Sequence, residues 1–251
     1  MTPKRVLVTG GAKRIGRAIA EALAGGGFDI AIHYHESRIE AEALAGMLAK
    51  KGTRATAIGA DLGKALDLNA LIGHAAASLG GPLTALVNNA AAFIRDDAET
   101  LGAESRDENF SANVVAPLTL SLAFYRALPE GERGAIVNLI DQRVQGPYRD
   151  SLSYTLSKQT LLALTQTLAQ AMAPRVHVVG IGPGPTLQSA YQTEADFAAE
   201  AAALPLKAGP RPEHIGAAVK FALENPSLSG QMIALDGGQH FAKGQPLHAR
   251  R

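Results

Sequence analysis

Tyr154 and Lys158 stand four residues apart in the run Tyr154-Thr155-Leu156-Ser157-Lys158. On a helix this spacing places a phenol and an ammonium on one face, separated by about 6 Å of axial rise. A tyrosine near its reference pKa of about 10 is a poor acid-base catalyst at neutral pH, and a neighbouring ammonium favours the phenolate and lowers that value. The pair is therefore a candidate proton donor, although the same spacing also describes an ordinary surface pair on a helix. A second chemical feature is Thr9-Gly10-Gly11-Ala12-Lys13-Arg14-Ile15-Gly16. It falls between a short apolar run and an amphipathic one, where backbone N–H groups and a helix dipole converge on an anion. Glycines alone only permit a tight turn; a strand before, a helix after and a continuing strand-helix alternation point to a bound dinucleotide.

The next strand should end beside the ribose of such a nucleotide, and its last residues are Tyr34 and His35 rather than a carboxylate. A carboxylate there would bind both hydroxyls of NAD and repel a 2′-phosphate, whereas Ser37, Arg38, Lys13 and Arg14 can accept one. NADP(H) is expected over NAD(H), with Glu36 the one residue placed to favour NAD. A cationic nicotinamide would further stabilise the Tyr154 phenolate. His33 and His35 share a face of their strand, but no third ligand accompanies them. A structural role is expected for both, and no metal site.

These groups need elements to hold them. Apolar β-rich runs at Arg5–Thr9, Asp29–His33, Thr56–Gly59, Ala85–Asn88, Ala135–Ile140, Val176–Ile181 and Gln231–Leu235 alternate with helical patterns at Ile15–Leu23, Ile39–Lys50, Leu66–Leu79, Glu104–Leu128, Tyr154–Ala173 and Glu213–Leu223. Unbroken apolar strands separated by helices predict an α/β fold with a doubly wound parallel sheet and helices on both faces. Residues 187–210, rich in Ala and Glu, are expected to form a small helical lid or a plain surface excursion.

At 251 residues and 47% hydrophobic, the chain can bury one large core, and a single domain over 1–251 is expected. Twenty-four basic and 23 acidic residues leave a net charge of +1. No broad field recruits nucleic acid or a membrane surface, so a small-molecule partner is expected. With no cysteine there are no disulfides and no thiolate chemistry. Nor is there a signal-peptide core or a membrane-length apolar stretch, and a cytoplasmic location is expected.

Thr9-Gly10 to Gly16, Asp61-Leu62, Asn88-Asn89-Ala90, Asn113, Tyr154/Lys158 and Pro183-Gly184 occur in an order that resembles the short-chain dehydrogenases/reductases along nearly the entire chain. The resemblance implies a Rossmann-type fold and a homotetramer paired through the helices near 104–128 and 154–173. It implies a cofactor site of Gly10, Lys13, Arg14, Ile15, Gly16, Tyr34, His35, Ser37, Pro183 and Gly184, with Asp61 and Leu62 flanking the adenine. Asn88 and Ala90 would line the cofactor, Lys158 would bind the nicotinamide ribose, and Asn113 would hold a water in a proton relay. Read by themselves, Asn113 can hydrogen-bond backbone, Asp61 can cap the next helix and Asn88-Asn89 can end a strand.

That family usually places a serine about thirteen residues before the tyrosine; here the residue is Asp141, followed by Gln142. With Lys13-Arg14-Ile15-Gly16, His33-Tyr34-His35 and the Asn-Asn-Ala segment ending in Phe93, this resembles the pteridine reductase branch, including bacterial dihydromonapterin and dihydrofolate reductases. By that resemblance Arg14 meets cofactor phosphate and pterin, Phe93 stacks on the pterin, and Asp141 with Tyr154 delivers protons to ring nitrogens. Two positions depart from the branch: Glu36 stands where it has arginine, and Ala91 where it has serine. A serine hydroxyl suits a ketone oxygen, while a carboxyl group can exchange a proton beside a C=N bond. The reading is NADPH-dependent reduction of a pteridine-type C=N bond. Two alternatives are a carbonyl reductase acting on 3-oxoacyl thioesters or other ketones, and a non-catalytic NADP-binding scaffold. An aspartate that only organises its own loop is the plain alternative for Asp141.

Overall fold

The computed structural model describes residues 4–242, so the expected single domain over 1–251 reaches beyond it at both ends. Seven strands form one parallel sheet in the order β3-β2-β1-β4-β5-β6-β7. In chain order they are β1 (Arg5–Val8), β2 (Asp29–Tyr34), β3 (Ala55–Gly59), β4 (Ala85–Asn88), β5 (Gly134–Leu139), β6 (Val176–Pro183) and β7 (Met232–Leu235). Alternation along β1 shows why the strands read as unbroken apolar runs. Val6 and Val8 enter one core and Leu7 the other, all fully buried. The first core lies under α1 (Arg14–Gly25), α2 (Arg38–Lys50) and α8 (Pro212–Glu224). The second lies under α3 (Ala65–Ser78), α5 (Ala116–Ala127) and α6 (Leu152–Met172). Strand order reverses between β1 and β4, which opens a crevice at the carboxyl ends of the central strands, the usual place for a ligand in a doubly wound sheet.

One element differs from its sequence pattern. The helix expected across 104–128 is α4 (Ala103–Phe110), a π-helical turn at Ser111–Val115, and then α5. The Ala116 N–H reaches back five residues to the Ser111 carbonyl. Pro117 is the physical cause: it has no N–H to give the carbonyl of Asn113, so the regular ladder cannot pass that point. The expected lid contains α7 (Glu194–Ala203), opened by a reciprocal Thr193/Asp196 cap. Among the described residues no helix is long and apolar enough to cross a membrane.

Candidate active site

The turn between β1 and α1 is held by distant residues. Gly10 has φ of +59°, and a Cβ there would lie 3.0 Å from Ala90 Cα; a Cβ on Gly16 would come within 2.1 Å of the Gly10 carbonyl oxygen. Thr9 Oγ1 accepts from the N–H groups of Asn89 (2.9 Å) and Ala90 (3.0 Å), and Asn89 Nδ2 donates back to Thr9 O and Gly10 O. On the other side, Gly10 N–H donates to His33 Nδ1 (3.0 Å), while His33 Nε2 pairs with Ala60 O (3.1 Å). An acceptor at Nδ1 requires the neutral ring with its proton on Nε2, and burial lowers the His33 pKa accordingly. Its expected structural role is therefore a specific one. Lys13 precedes α1 without capping it through its side chain, so the N–H groups of Arg14, Ile15 and Gly16 open the helix toward the crevice. A close-packed glycine cradle before an uncapped helix start fits the pyrophosphate of a dinucleotide.

At the end of β2, Tyr34 packs its ring on Gly59 and His35 Nε2 lies 3.9 Å from Asp61. Asp61 accepts from Gly63 N–H and pairs with Lys64 at 3.3 Å; these hold its carboxyl below the usual range, and its own N–H is taken by Asp67. It thus shapes the turn before α3, next to the half-buried Leu62. Ser37 does not cap α2 through its hydroxyl. Of the expected phosphate-binding cations, Lys13 is paired with Glu40 (2.9 Å) and Arg38 with Glu42 (2.7 Å), both at the surface. Arg14 points elsewhere. From a left-handed backbone (φ +53°) it reaches the carbonyls of Leu187 (3.4 Å) and Gln188 (2.9 Å), linking the turn after β1 to the start of the 187–210 segment. Asn88 also differs from its expected place: its side chain is buried beneath the sheet and donates to Asn138 (2.8 Å), which donates to Thr165 (2.9 Å). Its Oδ1 is buried without a hydrogen-bond partner among the described residues.

Beside the ends of β5 and β6, Tyr154 Oη donates to Asp141 Oδ2 at 2.8 Å, and Asp141 Oδ1 accepts from Arg143 N–H at 2.8 Å. Asp141 thus organises its loop and also holds the phenol. Phe93 stands edge-on to Tyr154 with ring centres 4.5 Å apart. Lys158 is buried, 5.8 Å from the Tyr154 ring centre, and donates to Leu139 O at 2.8 Å. The expected depression of the tyrosine pKa is reversed here. Burial first, then the Asp141 charge and hydrogen bond, push Tyr154 well above its ordinary value. Burial also lowers Lys158 to about 8. The protein by itself keeps the proton on the phenol.

Asn113, singled out in the sequence, positions this pair together with Asn109, Asp96, Ser153 and Ser157, which were not. Asn113 accepts from Ala92 N–H and donates to Ala92 O, both at 3.0 Å, and donates its second N–H to Ser157 (2.9 Å). One turn earlier Asn109 repeats the pattern, bridging Ile94 N–H (3.1 Å) and Ile94 O (3.0 Å) and donating to Ser153 (2.7 Å). Two amides thus clamp the backbone on either side of Phe93 and tie it to α6 on either side of Tyr154. Buried Asp96 completes the clamp: it accepts from Ser153 N–H (3.0 Å) and Ser153 Oγ at the start of α6. The repeat Asn109/Asn113 against Ser153/Ser157, each four apart, was the available signal. The Asn113 side chain is thus engaged at both ends.

Phe93, Asp141, Pro183 and Gly184 share a cavity of about 140 Å³ with groups from the 187–210 segment and from beyond β7, among them Gln192, Glu200 and Gln239. Tyr191, just before α7, meets the Phe93 ring at 5.7 Å. Among the described residues no cluster of His, Cys, Asp and Glu could hold a metal ion.

A cleft with a phosphate cradle, a buried lysine and a tyrosine that keeps its proton can be compared with known proteins. The family model for short chain dehydrogenase matches residues 4–198. The fold superposes with a TM-score of 0.93 on FolM alternative dihydrofolate reductase 1 from Brucella canis, solved with NADP, at 44% identity over 97% of this chain and 96% of that one. A short chain dehydrogenase from Burkholderia cenocepacia, also solved with NADP, is 33% identical over 94% and 97% of the two chains, with a TM-score of 0.86. Pteridine reductase 1 of Leishmania tarentolae is 32% identical over 216 residues, 71% of this chain and 75% of its own. The sequence-level resemblance to the pteridine reductase branch is thus matched by these similarities, and the chain belongs to the short-chain dehydrogenase family.

Proposed function

We propose that the chain is an NADPH-dependent reductase that adds hydride and a proton across a C=N bond of a pteridine-type substrate: a dihydropterin, dihydromonapterin or dihydrofolate. The observation that carries this reading is the Tyr154–Asp141 hydrogen bond beneath Phe93, a paired acid and carboxylate where a ketone reductase would hold a serine. The NADP-bound Brucella protein and the Leishmania pteridine reductase support it.

Gly10, Ile15, Gly16, Ala90, Pro183 and Gly184 would hold the dinucleotide, with Lys13, Tyr34, His35, Ser37, Asp61 and Leu62 around its adenosine half. When bound, NADPH supplies the hydride. Phe93 offers a flat apolar face for the substrate ring, and Arg14, extended from the phosphate turn to the lid, closes one side of the site. Tyr154 Oη gives its proton to the substrate nitrogen. Its high pKa makes the phenolate a short-lived species, stabilised by the Lys158 ammonium and refilled through a water on Asn113. Asp141 fixes the position of Oη, and the proton it accepts in the free protein turns to the substrate nitrogen for that transfer. The same reading has the chain act in the cytoplasm as a homotetramer.

Steady-state assays with NADPH against dihydrobiopterin, dihydromonapterin, dihydrofolate and an acetoacetyl thioester test the proposal. Turnover of at least one dihydropterin or dihydrofolate is expected; turnover of the thioester alone would overturn it. Tyr154→Phe should lose at least about a hundredfold in turnover while still binding NADPH, the scale expected of a general acid. An unchanged rate would remove Tyr154 as the proton donor, whereas NADPH binding with no turnover of any of these substrates would mean a scaffold rather than an enzyme.

A further inference from the structure

The cavity that Asp141 lines also carries a carboxylate that the proposed chemistry does not use. Glu200, on α7, accepts from Gln192 Nε2 at Oε2 (2.7 Å) and from Gln239 Nε2 at Oε1 (3.2 Å). Both amides hold the carboxylate in one orientation, and all three residues line the cavity. No cation offsets Glu200 among the described residues. The two arginines of the cavity are engaged elsewhere: Arg143 pairs with Asp150 at 2.8 Å, and Arg95 lies over the Tyr191 ring at 5.1 Å and 3.9 Å from Asp150. Beside Glu200, Gln239 is 5% exposed and its Oε1 has no hydrogen-bond partner. A carboxylate held at both oxygens retains free lone pairs, and a buried amide oxygen left unpaired costs free energy until a donor reaches it. The ligand class that satisfies both is a planar ring with adjacent N–H donors on one edge, which a carboxylate binds through two parallel charge-assisted hydrogen bonds.

We propose that Glu200, supported by Gln192 and Gln239, is the specificity residue that reads the amino-substituted N–H edge of the substrate ring, while Asp141 and Tyr154 act at the opposite, reacting edge. This rests on the pteridine reading and deepens it. Because Glu200 belongs to α7, the substrate itself ties the lid across the cavity. The recognition is then selective in a way that a ring on Phe93 alone is not. A site built for N–H donors rejects the analogue that lacks them, since its acceptors are left unpaired.

The test is a ligand-binding measurement on NADP⁺-loaded protein. Calorimetric affinities are compared for pterin and for 4-oxopteridine, which lacks the 2-amino group, in the native protein and in Glu200→Gln and Glu200→Ala. The native protein should prefer pterin by about tenfold to a hundredfold, the range of one or two charge-assisted hydrogen bonds. Both variants should lose most of that preference while NADP⁺ affinity stays within about twofold, which also verifies folding. An equal preference in native protein and variants, or no preference in the native protein, overturns the assignment. A native protein that discriminates the ligands through Glu200 yet oxidises no NADPH with any dihydropterin would leave this inference standing and remove the proposed reaction instead.

Discussion

At the scale of single residues, burial decides the chemistry. Tyr154 would sit near its ordinary pKa in water; inside the protein, desolvation and the Asp141 carboxylate keep its proton in place, as a donor requires. Lys158 moves the opposite way, to about 8, because the same burial penalises its charge. The ammonium is the form that stabilises a phenolate, and it is present below that value. The sign follows: kcat/KM for a dihydropterin should be level on the acid side of pH 8 and fall as pH rises through about 8. Lys158→Arg, whose guanidinium stays charged, should show no fall there. A native profile level to pH 9.5 would show that Lys158 does not titrate in the rate. In the proposed reading Asp141 faces the substrate, so Asp141→Ser should lower pterin turnover by at least about tenfold and leave NADPH affinity within about twofold. Fluorescence titration of NADPH checks it, and a large loss of affinity would contradict the placement.

Elements are where sequence pattern and structure part. Each strand was legible as an apolar run, and the helix carrying Tyr154 and Lys158 as a periodic one, because those patterns report burial of nearby side chains. The π-turn was not legible, although Pro117 marked it, since a proline inside a periodic run can kink, end or shift a helix. That turn carries Asn113 on the face where the amide reaches both Ala92 and Ser157. The clamp formed with Asn109 makes a specific prediction. Asn109→Ala leaves Ile94 N–H, Ile94 O and Ser153 Oγ short of a partner, which should cost about 1–3 kcal/mol in urea denaturation. It should also reduce turnover more than it weakens NADPH binding, because Phe93 and Tyr154 lose their common support. A variant with native stability and turnover would show the second rung of the clamp to be dispensable.

At the scale of the whole molecule, the sheet brings the ends of β4, β5 and β6, the 187–210 segment and Gln239 to one cavity, with the turn after β1 packed against Asn89 and Ala90. Ligand binding there should stabilise the whole fold. NADPH at about a hundred times its Kd is worth about 2.7 kcal/mol of stability, read as a rise in Tm. Gly16→Val should abolish that rise, since even a Cβ at this position meets the Gly10 carbonyl at 2.1 Å. An undiminished Tm rise in the variant would place the dinucleotide outside the cradle.

Read without its structure, this protein's sequence determined the strand-helix alternation, the phosphate turn and the four-residue spacing of phenol and amine, because each is a local pattern carried by neighbouring residues. The tertiary structure alone decided which way the Tyr154 pKa moves, that His33 locks the turn, that Arg14 crosses to Leu187 and Gln188, and that Glu200 lines one cavity with Asp141. Those outcomes depend on desolvation and on hydrogen bonds between residues far apart in the chain, such as Arg14 with Gln188, and only a packed core supplies both.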